Sequence, residues 1–212
     1  MYEPPLHRED DLARQHALIR ARPLGLLVSH GPHGLIANAL PFLVDPAASR
    51  LGTLSAHMAR ANPQWRDLLK SPEALVVFQG ADHYVSPSWY ATKQETHKVV
   101  PTWNYVMVQA RGAAKVIEDD EWLSRQIAAL TRAQEDARQR PWAVSDAPAD
   151  FIALQRKAIV GIEIEIADVR GKWKTSQNRN AGDRAGVAAG LEALGDEAAR
   201  AMAAIVRETG HD

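Results

Sequence analysis

The chain has 212 residues, 46% of them hydrophobic and 24% charged, enough for one domain with a substantial core. Its formal net charge of -1 provides no global field for nucleic acid or an anionic membrane. With no cysteine, disulfides, thiolate zinc sites and a cysteine nucleophile are excluded, a composition that fits a reducing compartment.

The first residues, MYEPPLHREDDLARQ, contain no apolar h-region, and no apolar run approaches the length of a membrane span. Neither a signal peptide nor a membrane segment is expected, and the expected compartment is the cytoplasm. Asp10 and Asp11 precede a helix with Leu12, Leu18 and Ile19 on one face and Pro23 as its stop. LGLLVSH, the turn GPHG and LIANALPFLVD predict a hairpin. His30 and His33 in that turn lack nearby carboxylate ligands and predict a plain surface turn, with no metal. RLGTLSAHM predicts a third strand, ARANPQWRDLLKSP a helical connector and EALVVFQG a buried strand.

DHYVSPSWYATKQETHK begins with strand residues and becomes a long polar loop. In KVVPTWNYVMV, Trp103 and Asn104 stand at the mouth of the strand that fills NYVMVQARGAAKVIE. Asp119 or Asp120 caps a helix carrying Trp122, Ile127 and Leu130, and a shorter helix lies near APADFIALQRK. IVGIEIEIADV alternates, with Ile162, Ile164 and Ile166 on one face and Glu163 and Glu165 on the other. From about Ala181 the composition becomes Ala-rich and helical. Short strands with helices inserted between them predict a closed antiparallel barrel with peripheral helices. Residues 1–180 form the barrel domain in this reading, and 181–212 a helical extension of it.

Motifs for a serine hydrolase, a zincin or a phosphate-binding P-loop are missing from the sequence. Trp89, Trp103 and Trp173 each sit in or beside a polar segment with Ser, Thr or Asn and a nearby Lys. Taken together they favour a planar aromatic ligand with polar and anionic parts over three indoles that merely cover a core. In GTLSAHMARANPQW, Thr53, Ser55 and His57 end a strand and Arg60 follows. Those groups suit a phosphate monoester; a helix cap with a solvated Arg is the plainer alternative.

GTLSAHMARANPQW, FQGADHYVSPSWY, KVVPTWNY, PWAVSDAPADFI, IVGIEIEI and GKWKTSQNR resemble, in this order, the PaiB-type family. That family is described as FMN-binding negative transcriptional regulators, related to the pyridoxamine-phosphate-oxidase-like split barrels. The resemblance covers nearly the whole chain. It implies a mainly β fold with peripheral α-helices: a six-stranded antiparallel split β-barrel with a helical C-terminal tail, dimeric, with FMN at the subunit interface. It also implies that Thr53, Ser55, His57 and Arg60 line the phosphate, and Asn38 and Ala39 the edge of the isoalloxazine. Trp103 and Asn104 would then face the flavin, and Lys172, Trp173, Ser176 and Gln177 would reach across from the second subunit. Ala39, Gln109 and Gln134 stand where the family pattern has histidine, which weakens a haem-linked or redox role.

Three functions follow. The first is a flavin-dependent negative transcriptional regulator, with DNA as partner by family analogy only, since no basic recognition helix is visible. The second is an FMN-dependent oxidoreductase or flavin reductase using a nicotinamide donor. The third is a flavin-storing dimer with neither activity.

Overall fold

The computed structural model describes residues 1–32 and 34–209, so His33 of the GPHG turn lies outside the described residues. In chain order its elements are β1 (Arg8–Glu9), α1 (Leu12–Ala21), β2 (Leu24–Gly31), β3 (Gly34–Pro41), β4 (Leu43–Asp45), β5 (Thr53–Ala59), α2 (Gln64–Lys70) and β6 (Glu73–Val85). They continue with α3 (Thr92–Thr96), β7 (Thr102–Ile117), α4 (Asp120–Glu135), α5 (Ala149–Lys157), β8 (Ile159–Glu165), β9 (Asp168–Lys174), α6 (Ala181–Leu194) and α7 (Glu197–Glu208). Short 3-10 turns occupy Pro5–His7, Pro87–Trp89 and Val144–Asp146.

The fold is mainly β and antiparallel, with helices and a helical C-terminal segment, as expected. The strand count differs, because the described residues form nine strands rather than six. β1 and β4 span two and three residues, too few to leave a period of two in the sequence. β9 was concealed inside the segment read as ligand-binding. β7 also begins earlier than expected, at Thr102, so Trp103 and Asn104 lie within the strand. Two compact units result, one from 1–15, 79–108 and 170–212, the other from 16–78 and 109–169.

In the second unit β2 pairs along its whole length with β3, from Leu24↔Pro41 to Gly31↔Gly34, and on its other edge with β6. β5 pairs with β4 and with β8, and β8 pairs with the C-terminal part of β7. β3 approaches β5, bringing the two groups of strands together. Alternation decides what faces inward. Leu54, Ala56 and Met58 of β5 and Ile162 and Ile164 of β8 are buried, joined by Leu27, Val76 and the edge-to-face pair Phe42–Phe78. Each such aliphatic side chain contributes roughly 1.5–3 kcal/mol on burial. Outside, α4 starts at Asp119, whose carboxylate accepts the Trp122 N–H at 2.6 Å. The Trp122 ring covers Gly161 so closely that a Cβ there would come 2.3 Å from it.

In the first unit β1 pairs with β9, Arg8 opposite Lys172, and β9 also pairs with β7. α6 and α7 fold back on each other at Gly195, whose φ of 78° is a left-handed cap. Val187, Leu191, Met202 and Val206 from these helices enclose Val85 and Tyr90. α6 sits on Trp89 through Gly186 and Gly190: a Cβ would meet the Trp89 carbonyl oxygen at 1.9 Å and its ring at 2.4 Å.

Candidate functional site

The twelve residues expected at the site divide between the two units. Asn38, Ala39, Thr53, Ser55, His57 and Arg60 belong to the second. Asn38 donates to Gln64 Oε1 at 2.9 Å, and Gln64 in turn donates to the Leu27 carbonyl and to Ser29 Oγ. Its neighbour Ala39 faces the other way and is exposed. Ala39 shares an open apolar sheet face with Leu26 and Val77, to which it is linked by register, and with the next row of Ala37, Val28 and Leu75.

Thr53, Ser55 and His57 line the outward face of β5, opposite the buried set. Thr53 and Ser55 open onto a cleft of about 220 Å³, also lined by Asp45, Trp122, Arg125, Gln126 and Glu163. His57 Nδ1 and Gln126 Oε1 are 2.7 Å apart, while Gln126 Nε2 is buried without a partner. Arg60 is committed within the chain: it pairs with Glu118 and donates to the carbonyls of Lys157 at 3.1 Å and Ile159 at 3.2 Å. A phosphate at this guanidinium would compete with Glu118.

Trp103, Asn104, Lys172, Trp173, Ser176 and Gln177 are brought together in the first unit. Consecutive strand residues point to opposite faces, and Trp103 is 50% exposed while Asn104 is 1% exposed. Trp103 Nε1 donates to Asp82 Oδ2 at 2.9 Å, and its ring stands edge-on to Tyr84. Asn104 is a clamp: its Nδ2 donates to Ser176 Oγ at 2.9 Å, and that hydroxyl is 3.3 Å from Asn104 Oδ1. Ser176 itself has φ 69°. Trp173 is buried under the Arg14 guanidinium.

Gln177 orients a residue that the sequence did not single out. Its Oε1 accepts the Thr175 N–H at 2.8 Å and its Nε2 donates to the Trp173 carbonyl. His7 Nδ1, 3.1 Å from the same Oε1, therefore carries its proton. Lys174 and Arg179 were also missed. Lys174 Nζ donates to Thr102 Oγ1 and to the Trp103 carbonyl. Lys172 is buried, donates to the Tyr2 carbonyl at 3.0 Å and lies over the rings of Tyr2 and Tyr105. Burial, then the nearby Lys172 and Arg179, pushes the Lys174 pKa down. Burial also lowers His7, helped by Lys174 and Lys172 and opposed by the Gln177 hydrogen bond. A basic residue at every second strand position, as in GKWKT, was the available signal.

These groups fit a phosphate-bearing planar aromatic. The Thr53 and Ser55 hydroxyls and the unpartnered Gln126 amide offer hydrogen bonds to anionic oxygens, and the open face around Ala39 offers an apolar wall for a ring. Among the described residues no cluster has the composition of a metal site. No described helix is long and apolar enough to cross a membrane.

Residues 1–168 match the family described as "Putative FMN-binding domain". An uncharacterised protein of Emericella nidulans is 38% identical, over 99% of this chain and 98% of its own. The Bacillus subtilis protein named protease synthase and sporulation protein PAI 2 is 33% identical, over 98% of this chain and 97% of its own. Among solved structures, the FAD and haem binding protein of Mycobacterium smegmatis is 17% identical with a TM-score of 0.58, covering 87% of this chain and 80% of that one. That likeness is one of fold.

Proposed function

We propose, from the premise that the chain belongs to this FMN-binding domain family, that it is a PaiB-type flavoprotein acting as a homodimer in negative control of transcription. FMN is its cofactor, carried on a split β-barrel. The open apolar face of β3, β2 and β6 carries the dimer reading: Leu24, Leu26 and Leu35 are 65%, 42% and 78% exposed, side chains that a second protomer would cover. When bound, FMN supplies the redox chemistry of its ring.

The chain's own residues bind and orient. Ala39 walls the isoalloxazine, with the Asn38–Gln64 network holding its strand from behind. Thr53, Ser55 and Gln126 hydrogen-bond the phosphate, His57 fixes Gln126, and Arg60 braces the end of β5. From the second protomer, Trp103 and Gln177 reach the flavin, Trp173 packs behind them under Arg14, and the Asn104–Ser176 clamp keeps that segment in shape. A yellow dimer that releases FMN on denaturation, and shifts the mobility of its own upstream DNA, is the expected result. A colourless monomer that takes up no FMN would refute the flavoprotein reading. A yellow dimer without DNA binding would remove the regulator role.

A second reading, an FMN-dependent oxidoreductase, is favoured by one observation: Lys174, bonded to the Trp103 carbonyl, has no counter-ion among the described residues. Anaerobic bleaching of the flavin by NADPH would support it.

A further inference from the structure

We infer that Lys172, Lys174, Arg179 and His7 form a binding site for the phosphate group of a small co-substrate or effector, separate from FMN. Buried and half-buried cations in folded proteins are ordinarily paired with carboxylates. Here they are not: among the described residues no ion pair includes Lys172, Lys174 or Arg179. Four acids of the same unit are engaged elsewhere. Glu9 pairs with Arg14, Glu3 with Arg170, Asp82 accepts from Trp103, and Asp183 accepts from the Thr92 N–H and hydroxyl.

What holds the ammonium groups is neutral. Lys172 has one carbonyl and two aromatic faces, and Lys174 has a hydroxyl and a carbonyl, so donors remain on both. Arg179 lies 4.4 Å over the Tyr90 ring; burial raises the Tyr90 pKa against the lowering effect of Arg179, so this partner too is neutral. The cost of holding these charges together appears in the lowered pKa of Lys174, whose causes after burial are Lys172 and Arg179. A charge of the opposite sign would reverse that cost. Three fixed positive groups call for a dianion, and a phosphate monoester neutralises two of them where a carboxylate neutralises one. His7, with Nδ1–H turned to Gln177, is the group at the edge of the cluster that can take up a proton and become a further donor.

This goes beyond the flavin reading and takes Lys172 out of the residues assigned to FMN. The test is calorimetric titration of inorganic phosphate, at an ionic strength fixed with chloride, into FMN-free and FMN-saturated protein. One saturable phosphate per chain is expected in both forms. Lys174→Gln and Arg179→Gln should each weaken it by about tenfold or more, with FMN affinity held to within about twofold. Both residues are partly exposed, so the variants should fold, which an unchanged circular dichroism spectrum verifies. Absence of saturable binding, or indifference to both substitutions, overturns the proposal. Competition between phosphate and FMN also overturns it, because the cations would then be the cofactor's own phosphate site. Should the protein take up no FMN, the titration of the free form still decides the anion site, and that failure counts against the flavin reading alone.

Discussion

Replacing Asn104 by alanine separates a clamp from a ligand contact. The wild-type amide is 1% exposed and exchanges hydrogen bonds with Ser176 Oγ at 2.9 and 3.3 Å. Its removal forfeits about 0.5–1.5 kcal/mol for each bond and leaves a buried hydroxyl short of a partner, at about 1–3 kcal/mol. The total is roughly 2–6 kcal/mol. For a chain of this size 1 kcal/mol is about 2–4 °C in Tm, so the flavin-free protein should melt about 4–24 °C lower. Ser176→Ala removes the same pair, and the double variant should fall little further than either single one. Ser176→Gly should be no worse than Ser176→Ala, since glycine adopts the φ of 69° without steric cost. Differential scanning calorimetry on wild type and the four variants, with an FMN titration of each, reads both quantities. A Tm within about a degree of wild type together with weakened FMN binding would refute the clamp and make Asn104 a ligand residue.

Arg60→Ala should lower Tm while weakening FMN and riboflavin equally, because the guanidinium is occupied by Glu118 and two carbonyls; selective loss of FMN would instead return it to the phosphate. Gly190→Ala forces a methyl group onto the Trp89 ring and should cost about 1–3 kcal/mol, visible in denaturant melts together with a changed Trp89 fluorescence. His7 has its pKa lowered below 6.5, so the unfolded chain binds more protons between the folded value and 6.5, and stability must rise with pH across that window. His7→Gln should therefore lose less Tm than wild type on acidification through it, and parallel pH–Tm curves would contradict the assignment. Leu26→Glu, placed on the open apolar face, should shift light scattering from dimer to monomer and leave the barrel folded.

Local periodicity made much of the fold legible. Alternation in IVGIEIE separated the Ile face of β8, which is buried, from its Glu face, whereas GTLSAHM was legible only as a strand and the structure alone puts Thr53, Ser55 and His57 together on its outward face. The Asp pair before the α4 pattern narrowed its cap to Asp119 or Asp120, and it is Asp119. What stayed hidden depends on partners far along the chain. Arg60 resembles a free cation until Glu118, 58 residues later, is seen to hold it. Asn104 resembles a ligand group until Ser176, 72 residues away, closes on it. Pro101 is the kind of residue that stands at a strand's start, and beginning β7 directly after it, at Thr102, would have shown that Trp103 and Asn104 face opposite ways. Gly186 and Gly190, one helical turn apart, gave a readable sign of close approach by a helix, but nothing local named Trp89 as what approaches.

The first unit draws on segments 1–15, 79–108 and 170–212, and this has a bearing on how the molecule is made. His7 emerges from the ribosome 170 residues before its partner Gln177. At ordinary translation rates of about 5–20 residues per second, that is a delay of roughly 10–30 s. During it the N-terminal arm, the strand bearing Asn104 and the side chains of Val85 and Tyr90 have no α6 or α7 to cover them. The C-terminal segment therefore ends the exposure of a sticky nascent chain. Ribosome-bound chains halted before Ala181 should bind chaperones that the released full-length protein does not.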